Sequence, residues 1–386
     1  MEDAFAGRRL FIHAYQLLRL AAQVEQKQLD RSVKSHNDAP ADEQRLVGHG
    51  QEEEDVTQAI RPTGVMCFGR DSTAKAIAHS ADLRGQRVVL TGASSGLGLE
   101  TARCIAIAGA DLIVGARDPA RATALLTSTI GAQSAPISVL PLDLSDFSSV
   151  AAFARMIVGP VDLLIANAGV SKTPDAHLAC GLDVRFATNH LGHFLLANLL
   201  HPLLAARGAR IVVLSSAAHK GRPLDFDNLG RCRCPRDDLA AYGESKTANI
   251  LFAQEASRRW GDDGILTNAA LPGSVLTGLQ RHHGDALMQC IGLVAQDGSP
   301  NPVLKTVGQG AATTIWAATA PELEGRGGLV LENCGLARPV DASTHPWSGF
   351  DPQVAATEAA ARLWSLSVAL LRERGFAGHK FSGETI

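Results

Sequence analysis

The sequence has little of several features that would each point to a particular class of protein. It has two tyrosines, and aromatic residues make up 5% of its 386 positions. No window holds about 18 uninterrupted apolar residues, because the best one, 194–206, is broken by Asn198, His201 and Pro202; no transmembrane helix is therefore predicted. A net charge of −3 gives no electrostatic reason to expect nucleic acid or an anionic membrane as a partner.

Cysteine is also too sparse and scattered to indicate a disulfide framework. The seven cysteines are odd in number and spread from Cys67 to Cys334, so we expect a reducing, cytoplasmic setting. Cys232 and Cys234 form a Cys-x-Cys pair, but no second pair stands nearby at zinc-finger spacing. We interpret these two as loop cysteines and predict no metal site.

Residues 1–65 differ from the rest of the chain and are predicted to form an N-terminal extension. Its apolar residues between Leu10 and Val24 fall on one face of a helix. A polar tract at 30–58 follows, and this composition is typical of a linker or a disordered segment. Acidic residues at the start argue against a targeting peptide, so we expect a helix that docks on a partner or on the protein itself. Met66 is a hypothetical alternative start.

Strand and helix patterns alternate from about Leu83, which indicates an α/β domain over residues 66–386. The predicted strands are 87–91, 111–116, 137–142, 162–166, 210–214, 265–271 and 328–331. The predicted helices are 96–108, 147–157, 176–204, 240–260, 308–320 and 353–374. Short apolar strands joined by right-handed helical crossovers give a doubly wound, Rossmann-type parallel sheet of about seven strands. The segment 274–307 has little regular pattern and would lie over the carboxyl ends of the strands.

A glycine-rich turn connects the first predicted strand to the first long helix, with the spacing Gly-x-x-x-Gly-x-Gly. Glycine lets a phosphate lie against the backbone, and the first N–H groups of the helix attract its negative charge. The turn therefore predicts a dinucleotide site. Its expected cofactor-binding residues are Thr91, Gly92, Ser94, Ser95, Gly96, Leu97 and Gly98.

The end of the second predicted strand bears on which dinucleotide is bound. NAD-binding proteins often place a carboxylate there for the ribose 2′-hydroxyl, but this chain has Ala116 followed by Arg117. A guanidinium can hold a 2′-phosphate through two parallel hydrogen bonds. NADP(H) is therefore expected over NAD(H), although the neighbouring Asp118 leaves NAD(H) open.

Tyr242 and Lys246 stand four residues apart in a predicted helix and therefore share a face. A tyrosine pKa lies near 10, and a neighbouring cation favours the phenolate, which suits a group that exchanges a proton with a carbonyl or alcohol oxygen. Ser216 follows a predicted strand, where its hydroxyl can stabilise a developing oxyanion. Asn189 lies inside a predicted helix, where a polar side chain is disfavoured without a role. We interpret His190, His193 and His201 as packing or surface residues and His219 as a loop residue.

Together these residues resemble the short-chain dehydrogenase/reductase family from about Phe68 to about Arg374. The segments Ser215-Ser216-x-Ala-His219 and Asn189-His-Leu-Gly-His193-Phe are most similar to the retinol dehydrogenase-like branch and its bacterial relatives. The resemblance implies that Ser216, Tyr242 and Lys246 are catalytic, that Asn189 holds a proton-relay water, and that Lys246 binds ribose hydroxyls. It also implies cofactor contacts at Tyr242, Lys246, Asp143, Leu144, Asn167, Ala168, Gly169, Pro272, Gly273, Val275 and Thr277. Leu271 and Ala166 depart from the pattern of the branch.

The resulting prediction is an NADP(H)-dependent oxidoreductase that interconverts a carbonyl and an alcohol, with an apolar small molecule as substrate. The predicted helices 176–204 and 240–260 could pair in a homodimer or homotetramer. Three alternatives remain open: an epimerase or dehydratase, a double-bond reductase related to protochlorophyllide reductase, and a non-catalytic NADP-sensing partner protein. The glycine spacing disfavours the first, and the intact set of Ser216, Tyr242 and Lys246 disfavours the last.

Overall fold

The computed structural model describes residues 67–131, 136–174, 177–178, 180–231, 237–341, 344–352 and 356–381. The predicted N-terminal helix and polar linker, and the Cys232–Cys234 pair, lie outside these residues. The compact unit that is described begins at Phe68. The domain boundary at residue 66 stays a prediction.

An eight-stranded sheet forms the centre of this unit, with the strand order β3-β2-β1-β4-β5-β6-β7-β8. The strands are β1 (Arg87–Thr91), β2 (Asp111–Ala116), β3 (Ile137–Pro141), β4 (Leu163–Ala166), β5 (Arg210–Leu214), β6 (Leu266–Leu271), β7 (Val330–Glu332) and β8 (Gly335–Leu336). Neighbours from β3 to β7 pair in parallel, whereas β8 pairs with β7 antiparallel. The prediction of a doubly wound α/β sheet is confirmed, and the two-residue β8 is the strand that it missed.

Helices cover both faces of the sheet. They are α1 (Ala74–His79), α2 (Gly96–Ile107), α3 (Pro119–Ile130), α4 (Phe147–Met156), α5 (Gly192–Ala205), α6 (Asp238–Trp260), α7 (Asp285–Cys290), α8 (Val307–Thr319) and α9 (Thr357–Leu371). Of these, α1, α3 and the short α7 were not predicted. An Asp–Pro pair marks the start of α3, since Asp118 caps the helix and Pro119 is its first residue. None of the helices in the described ranges is long and apolar enough to cross a bilayer.

The predicted helix 176–204 is wrong at its amino-terminal end. Helical structure begins at Val184, because the carboxylate of Asp183 accepts hydrogen bonds from the N–H groups of Arg185 and Phe186. A π-helical turn, Ala187–Leu191, then leads into α5. Asn189 therefore lies in a π-helical turn, a feature that is frequent at functional sites.

Two apolar layers, one on each face, hold the sheet in place. On one face, α4, α5, α6 and α9 contribute Phe153, Phe194, Phe252 and Trp364. The rings of the last three contact one another. On the other face, α1, α2 and α8 contribute Ile77, Ile105, Ile315 and Trp316. Burial on both faces leaves the edge at the carboxyl ends of the strands for polar groups.

Candidate active site

The turn between β1 and α2 packs so tightly against the residues after β4 that it tolerates no side chain at two glycines. A Cβ on Gly98 would lie 2.0 Å from the carbonyl oxygen of Gly92 and 2.5 Å from Nδ2 of Asn167. A Cβ on Gly92, which has a φ of +74°, would lie 2.7 Å from the Cα of Ala168. The glycine turn and the Asn167–Gly169 segment therefore form one unit.

Hydrogen bonds fix this unit further. Nδ2 of Asn167 donates to the carbonyl oxygens of Thr91 and Gly92, at 2.8 and 3.1 Å. The Thr91 hydroxyl accepts from the N–H groups of Asn167 and Ala168, at 3.1 and 3.0 Å. Ser95 stands at the cap position of α2 but makes no capping hydrogen bond with its side chain, so the first N–H groups of the helix have no such partner. A cradle without side chains beside these groups fits a dinucleotide phosphate.

Of the residues after β2, Asp118 caps the next helix, and two arginines have exposed side chains. The carboxylate of Asp118 accepts a hydrogen bond of 3.0 Å from the N–H of Arg121 and so caps α3. The side chain of Arg117 is exposed, and so is that of Arg121 in the first turn of α3. Two exposed guanidinium groups therefore follow β2, and the carboxylate between them, that of Asp118, binds the backbone of α3. The sequence analysis did not name Arg121. The Asp118–Pro119 pair marks the start of a helix, and Arg121 lies in the first turn of that helix.

Asp143 and Leu144 follow β3 at the same edge of the sheet. Oδ1 of Asp143 accepts hydrogen bonds from the N–H and the hydroxyl of Ser145, at 2.9 and 2.6 Å. The carbonyl oxygen of Leu144 lies against Gly192, where a Cβ would stand only 2.3 Å from it. The loop after β3 is thus packed on the start of α5, and its predicted contact with the cofactor stays a prediction.

Ser216 and Tyr242 lie within hydrogen-bonding contact at the end of β5. Burial raises the pKa of Tyr242 to about 12, and the hydrogen bond from the Ser216 hydroxyl acts in the opposite direction. Ser216 begins a short 3₁₀ turn, Ala217–His219, and its oxygen accepts a hydrogen bond of 3.2 Å from the N–H of Ala218. The tyrosine hydroxyl is therefore held in its protonated form beside a second hydroxyl.

Lys246 lies one helical turn after Tyr242, with its Nζ 5.7 Å from the centroid of the tyrosine ring. The ammonium donates a 3.0 Å hydrogen bond to the carbonyl oxygen of Leu214, and burial lowers the pKa of Lys246 to about 8. The lowering of the tyrosine pKa that the spacing predicts does not occur in this structure. Burial of the phenol raises its pKa instead, because the charged form loses water.

Asn189 uses its amide to hold the segment after β4. Its Oδ1 accepts from the N–H of Val170 at 2.8 Å, and its Nδ2 donates to the carbonyl oxygen of Val170 and to the hydroxyl of Ser245, each at 2.9 Å. A Cβ on Gly169 would lie 3.3 Å from both Asn189 Oδ1 and Lys246 Nζ. Asn189 and Lys246 therefore converge on Gly169, while the predicted relay water stays a prediction.

His193 connects the glycine turn to the helical segment that carries Asn189. The sequence analysis interpreted His193 as a packing or surface residue and did not predict this connection. Its Nε2 lies 2.8 Å from the Thr91 hydroxyl and its Nδ1 lies 3.0 Å from the carbonyl oxygen of Asn189. Burial lowers the pKa of His193 to about 4, so the ring is neutral. The four-residue spacing of Asn189 and His193 was the available signal. His201, in contrast, bonds Asp263 far from these groups.

The segment after β6 closes the remaining side. Gly273 has a φ of +80°, and a Cβ there would lie 3.1 Å from the stem of Lys305, which sequence reasoning did not single out. The methyl carbon of Thr277 would lie 3.1 Å from a Cβ on Gly96, so this segment touches the glycine turn. Pro272 and Val275 belong to the same segment, and Val275 is buried.

Most of the predicted site residues thus follow strands at one edge of the sheet, including Arg117 after β2 and Asp143 after β3. Asn189, Tyr242 and Lys246 lie on helical segments instead. The described part of the chain contains no group of three side chains suited to a metal ion. Such an arrangement can bind a dinucleotide and move a proton at Tyr242.

Comparisons with known proteins agree with this geometry. A family model described as short chain dehydrogenase matches residues 86–287. The chain is 45% identical over 287 residues to a probable oxidoreductase of Streptomyces lividans, covering 73% of this chain and 96% of that protein. It is 34% identical to a short-chain dehydrogenase/reductase of Penicillium rubens, covering 73% and 84%. A solved structure of an uncharacterised Mycobacterium paratuberculosis protein has a TM-score of 0.59 and 30% identity, covering 80% and 98%.

Proposed function

The chain is an oxidoreductase of the short-chain dehydrogenase/reductase family, and from this premise we propose that it interconverts a carbonyl and an alcohol with NADP(H). The observation that carries the proposal is the contact between the hydroxyls of Ser216 and the buried Tyr242, beside a turn that fits a dinucleotide phosphate. We further propose that the protein belongs to the retinol dehydrogenase-like branch and that its substrate is an apolar small molecule.

The proton chemistry follows from the state of Tyr242. When bound, the nicotinamide cofactor supplies or accepts the hydride. In carbonyl reduction, Tyr242 donates its proton to the substrate oxygen as negative charge develops there, and Ser216 donates a hydrogen bond to the same oxygen. In alcohol oxidation, Tyr242 must first lose its proton, so that direction gains from higher pH.

Lys246 and Asn189 support this proton transfer in different ways. The ammonium of Lys246 lies close to Gly169 and would hold the ribose hydroxyls of the cofactor, as the family resemblance implies. Asn189 fixes the backbone of Val170 with a pair of hydrogen bonds, and its helix would anchor the water that returns a proton to Tyr242.

The proposed preference for NADP(H) rests on Arg117 and Asp118. The Asp118 carboxylate caps α3, so it is engaged by the backbone rather than directed to a ribose hydroxyl. The exposed guanidinium of Arg117, with that of Arg121 on the following turn, can pair with a 2′-phosphate. NAD(H) has no 2′-phosphate with which these cations could pair.

Three further features support proposals about the substrate, the assembly and the compartment. Leu279, Leu287 and Val294 in the segment after β6 are half-buried and would supply apolar side chains for such a substrate. We propose that α5 and α6 pair across a two-fold axis in a homodimer or homotetramer. The scattered cysteines, which are free where the structure describes them, support a cytoplasmic setting.

The test is NADPH consumption by the purified protein with retinal, straight-chain aldehydes, ketosteroids and aromatic ketones. NADH and the Tyr242→Phe variant are measured in parallel, and Tyr15→Phe is the matched control, because Tyr15 is the other tyrosine of the chain. Turnover with NADPH, weak with NADH and lost only in Tyr242→Phe, is expected. Tight NADPH binding without any turnover would favour the NADP-sensing alternative, and no binding of either cofactor would overturn the proposal.

A further inference from the structure

The loop that follows Ser216 is joined to a loop near the carboxyl terminus by His219. This histidine is fully buried, and both of its ring nitrogens meet backbone groups. Nδ1 lies 2.5 Å from the carbonyl oxygen of Ser216, and the N–H of Asp351 donates to Nε2 at 3.0 Å. Because a carbonyl only accepts and an amide N–H only donates, Nδ1 carries the proton and Nε2 carries none. The neutral ring thus links Ser216 to Asp351 in one defined tautomer.

The next two residues hold the same carboxyl-terminal loop, residues 344–352. The ammonium of Lys220 donates to the carbonyl oxygens of His345, Pro346 and Ser348, the last at 2.8 Å. The N–H of Gly221 donates to the carboxylate of Asp351 at 2.9 Å. Three carbonyl groups of the 344–352 loop therefore bind one half-buried ammonium, that of the residue directly after His219.

The 344–352 loop also contacts the segments after β6 and β7. The N–H of Gly349 donates to the carboxylate of Glu332, the last residue of β7, at 2.8 Å. The indole of Trp347 lies on Gly292 in the segment after β6, where a Cβ would stand 3.2 Å from its Cζ2. One loop thus bridges the segments that leave β5, β6 and β7 at the edge where Tyr242 lies.

Trp347 differs from the other three tryptophans of the chain. Trp260, Trp316 and Trp364 are buried in the core, whereas Trp347 is half-buried on a loop. A large flat apolar ring that the core does not use can contact an aromatic or bulky apolar ligand. Its position is fixed by backbone hydrogen bonds on both sides, at Lys220 and at Gly349.

We propose that the 344–352 loop is the substrate-selecting wall of the active site, with Trp347 as the surface for an aromatic or bulky apolar carbonyl compound and His219 as the positioning residue that ties this wall to Ser216. This inference rests on the proposed function. It assigns substrate selection to a loop that lies more than 100 residues after Tyr242 in the sequence.

The first test compares 2-naphthaldehyde with propanal as substrates with NADPH. Trp347→Ala is expected to lower kcat/KM for 2-naphthaldehyde by roughly tenfold or more, mainly through KM, and to change that for propanal by less than about twofold. Trp347→Phe, which keeps an aromatic ring, is expected to restore most of the loss, and the KM for NADPH stays the same. An equal fall for both aldehydes, or no change for either, would overturn the role of Trp347.

The second test does not need turnover. Amide hydrogen exchange of peptides that cover 217–221 and 344–352 is expected to accelerate in His219→Phe, to recover partly in His219→Gln, and to stay unchanged in the control His201→Phe. Unchanged exchange in His219→Phe would overturn the link. If exchange accelerates as expected while the wild-type protein reduces no carbonyl of the panel, the proposed function fails and the link stands. If carbonyls are reduced and exchange is unchanged, the link alone fails.

Discussion

The Nε2 atom of His193 lies 2.8 Å from the hydroxyl oxygen of Thr91, so a buried imidazole joins the glycine turn to the helix that carries Asn189. The carbonyl oxygen of Asn189 can only accept, which places the ring proton on Nδ1 and leaves Nε2 to accept from the Thr91 hydroxyl. Thr91 in turn accepts from two N–H groups after β4. The direction of each hydrogen bond from Asn189 through His193 to Thr91 is therefore determined.

Replacing His193 by phenylalanine is expected to destabilise the protein and to weaken cofactor binding. The variant leaves the Asn189 carbonyl and the Thr91 hydroxyl proton without this partner in a buried place, which costs about 1–3 kcal/mol for each unsatisfied group. Urea unfolding measures the loss, and NADPH fluorescence measures the affinity. His201→Phe, at a histidine paired with Asp263 away from the turn, is the control. Equal stability of His193→Phe and wild type would contradict the structural role of this hydrogen bond.

The buried histidines also predict how stability depends on pH. Burial lowers the pKa of His190 to about 3 and that of His193 to about 4, from an ordinary value of 6.5. Between those values and 6.5 the unfolded chain binds protons that the folded protein does not, so stability falls as the pH falls from about 6.5 toward 4. Each histidine adds at most about 1.4 kcal/mol per pH unit to this slope.

The measurement is urea unfolding of the wild type and of His193→Gln across that range of pH. The glutamine variant cannot take up the proton, so its free energy of unfolding should fall less steeply as the pH is lowered. Parallel slopes for the two proteins would show that His193 is not the titrating group.

The local features of the fold could be predicted from the sequence, and the long-range ones could not. The strands β1, β2 and β5 have the predicted bounds because each is a short apolar run closed by polar or glycine residues. The helix before α5 was predicted too long, because its apolar pattern hides the cap at Asp183 that starts it. The strand β8 has two residues, too few to show any alternation.

The candidate site shows the same division. Local spacing gave the glycine turn and placed Tyr242 and Lys246 on one face. The hydrogen bond of His193 with Thr91 joins residues 102 positions apart and leaves no local pattern. The direction of the Tyr242 pKa also depends on burial, a tertiary property, so the adjacent lysine alone gave the wrong sign.

A methyl group at Gly98 is expected to remove cofactor binding. The added carbon would stand 2.0 Å from the Gly92 carbonyl oxygen, a backbone atom that cannot move without opening the turn. We expect Gly98→Ala to lose NADPH fluorescence enhancement and about 1–3 kcal/mol of stability, as overpacking does in cores. Gly261→Ala is the matched control, because a Cβ there meets nothing within 4 Å and the backbone is helical. Normal NADPH binding by Gly98→Ala would contradict the assignment of this turn.

Arg117 is expected to decide between the two dinucleotides. Arg117→Ala should lower kcat/KM for NADPH by about 10- to 100-fold, the equivalent of about 1.5–3 kcal/mol for hydrogen bonds to a charged group, and leave NADH unaffected. Its exposed side chain predicts no loss of stability. Arg155→Ala, at an exposed arginine on α4, is the control. Steady-state kinetics with both cofactors checks this, and equal losses for NADPH and NADH would refute the role in 2′-phosphate binding.

The two directions of the proposed reaction should respond differently to the loss of Ser216. Carbonyl reduction uses the protonated Tyr242, which burial maintains with a pKa of about 12, so its rate should be flat through neutral pH. Alcohol oxidation needs the phenolate and should accelerate as the pH rises. The Ser216 hydroxyl stabilises that phenolate, so Ser216→Ala raises the pKa of Tyr242 further and moves the rise in oxidation to higher pH.

Removing the hydrogen bond to the substrate oxygen should also lower kcat in both directions, by about 10²- to 10³-fold. Ser216→Thr keeps a hydroxyl and should retain the wild-type pH profile even if its rate is reduced. Recording both kcat, which reports the substrate complex, and kcat/KM, which reports the free enzyme, as a function of pH in the three proteins separates the two effects. A purely structural role would lower the rates and leave the pH profile in place, whereas loss of the Ser216–Tyr242 hydrogen bond displaces the profile itself.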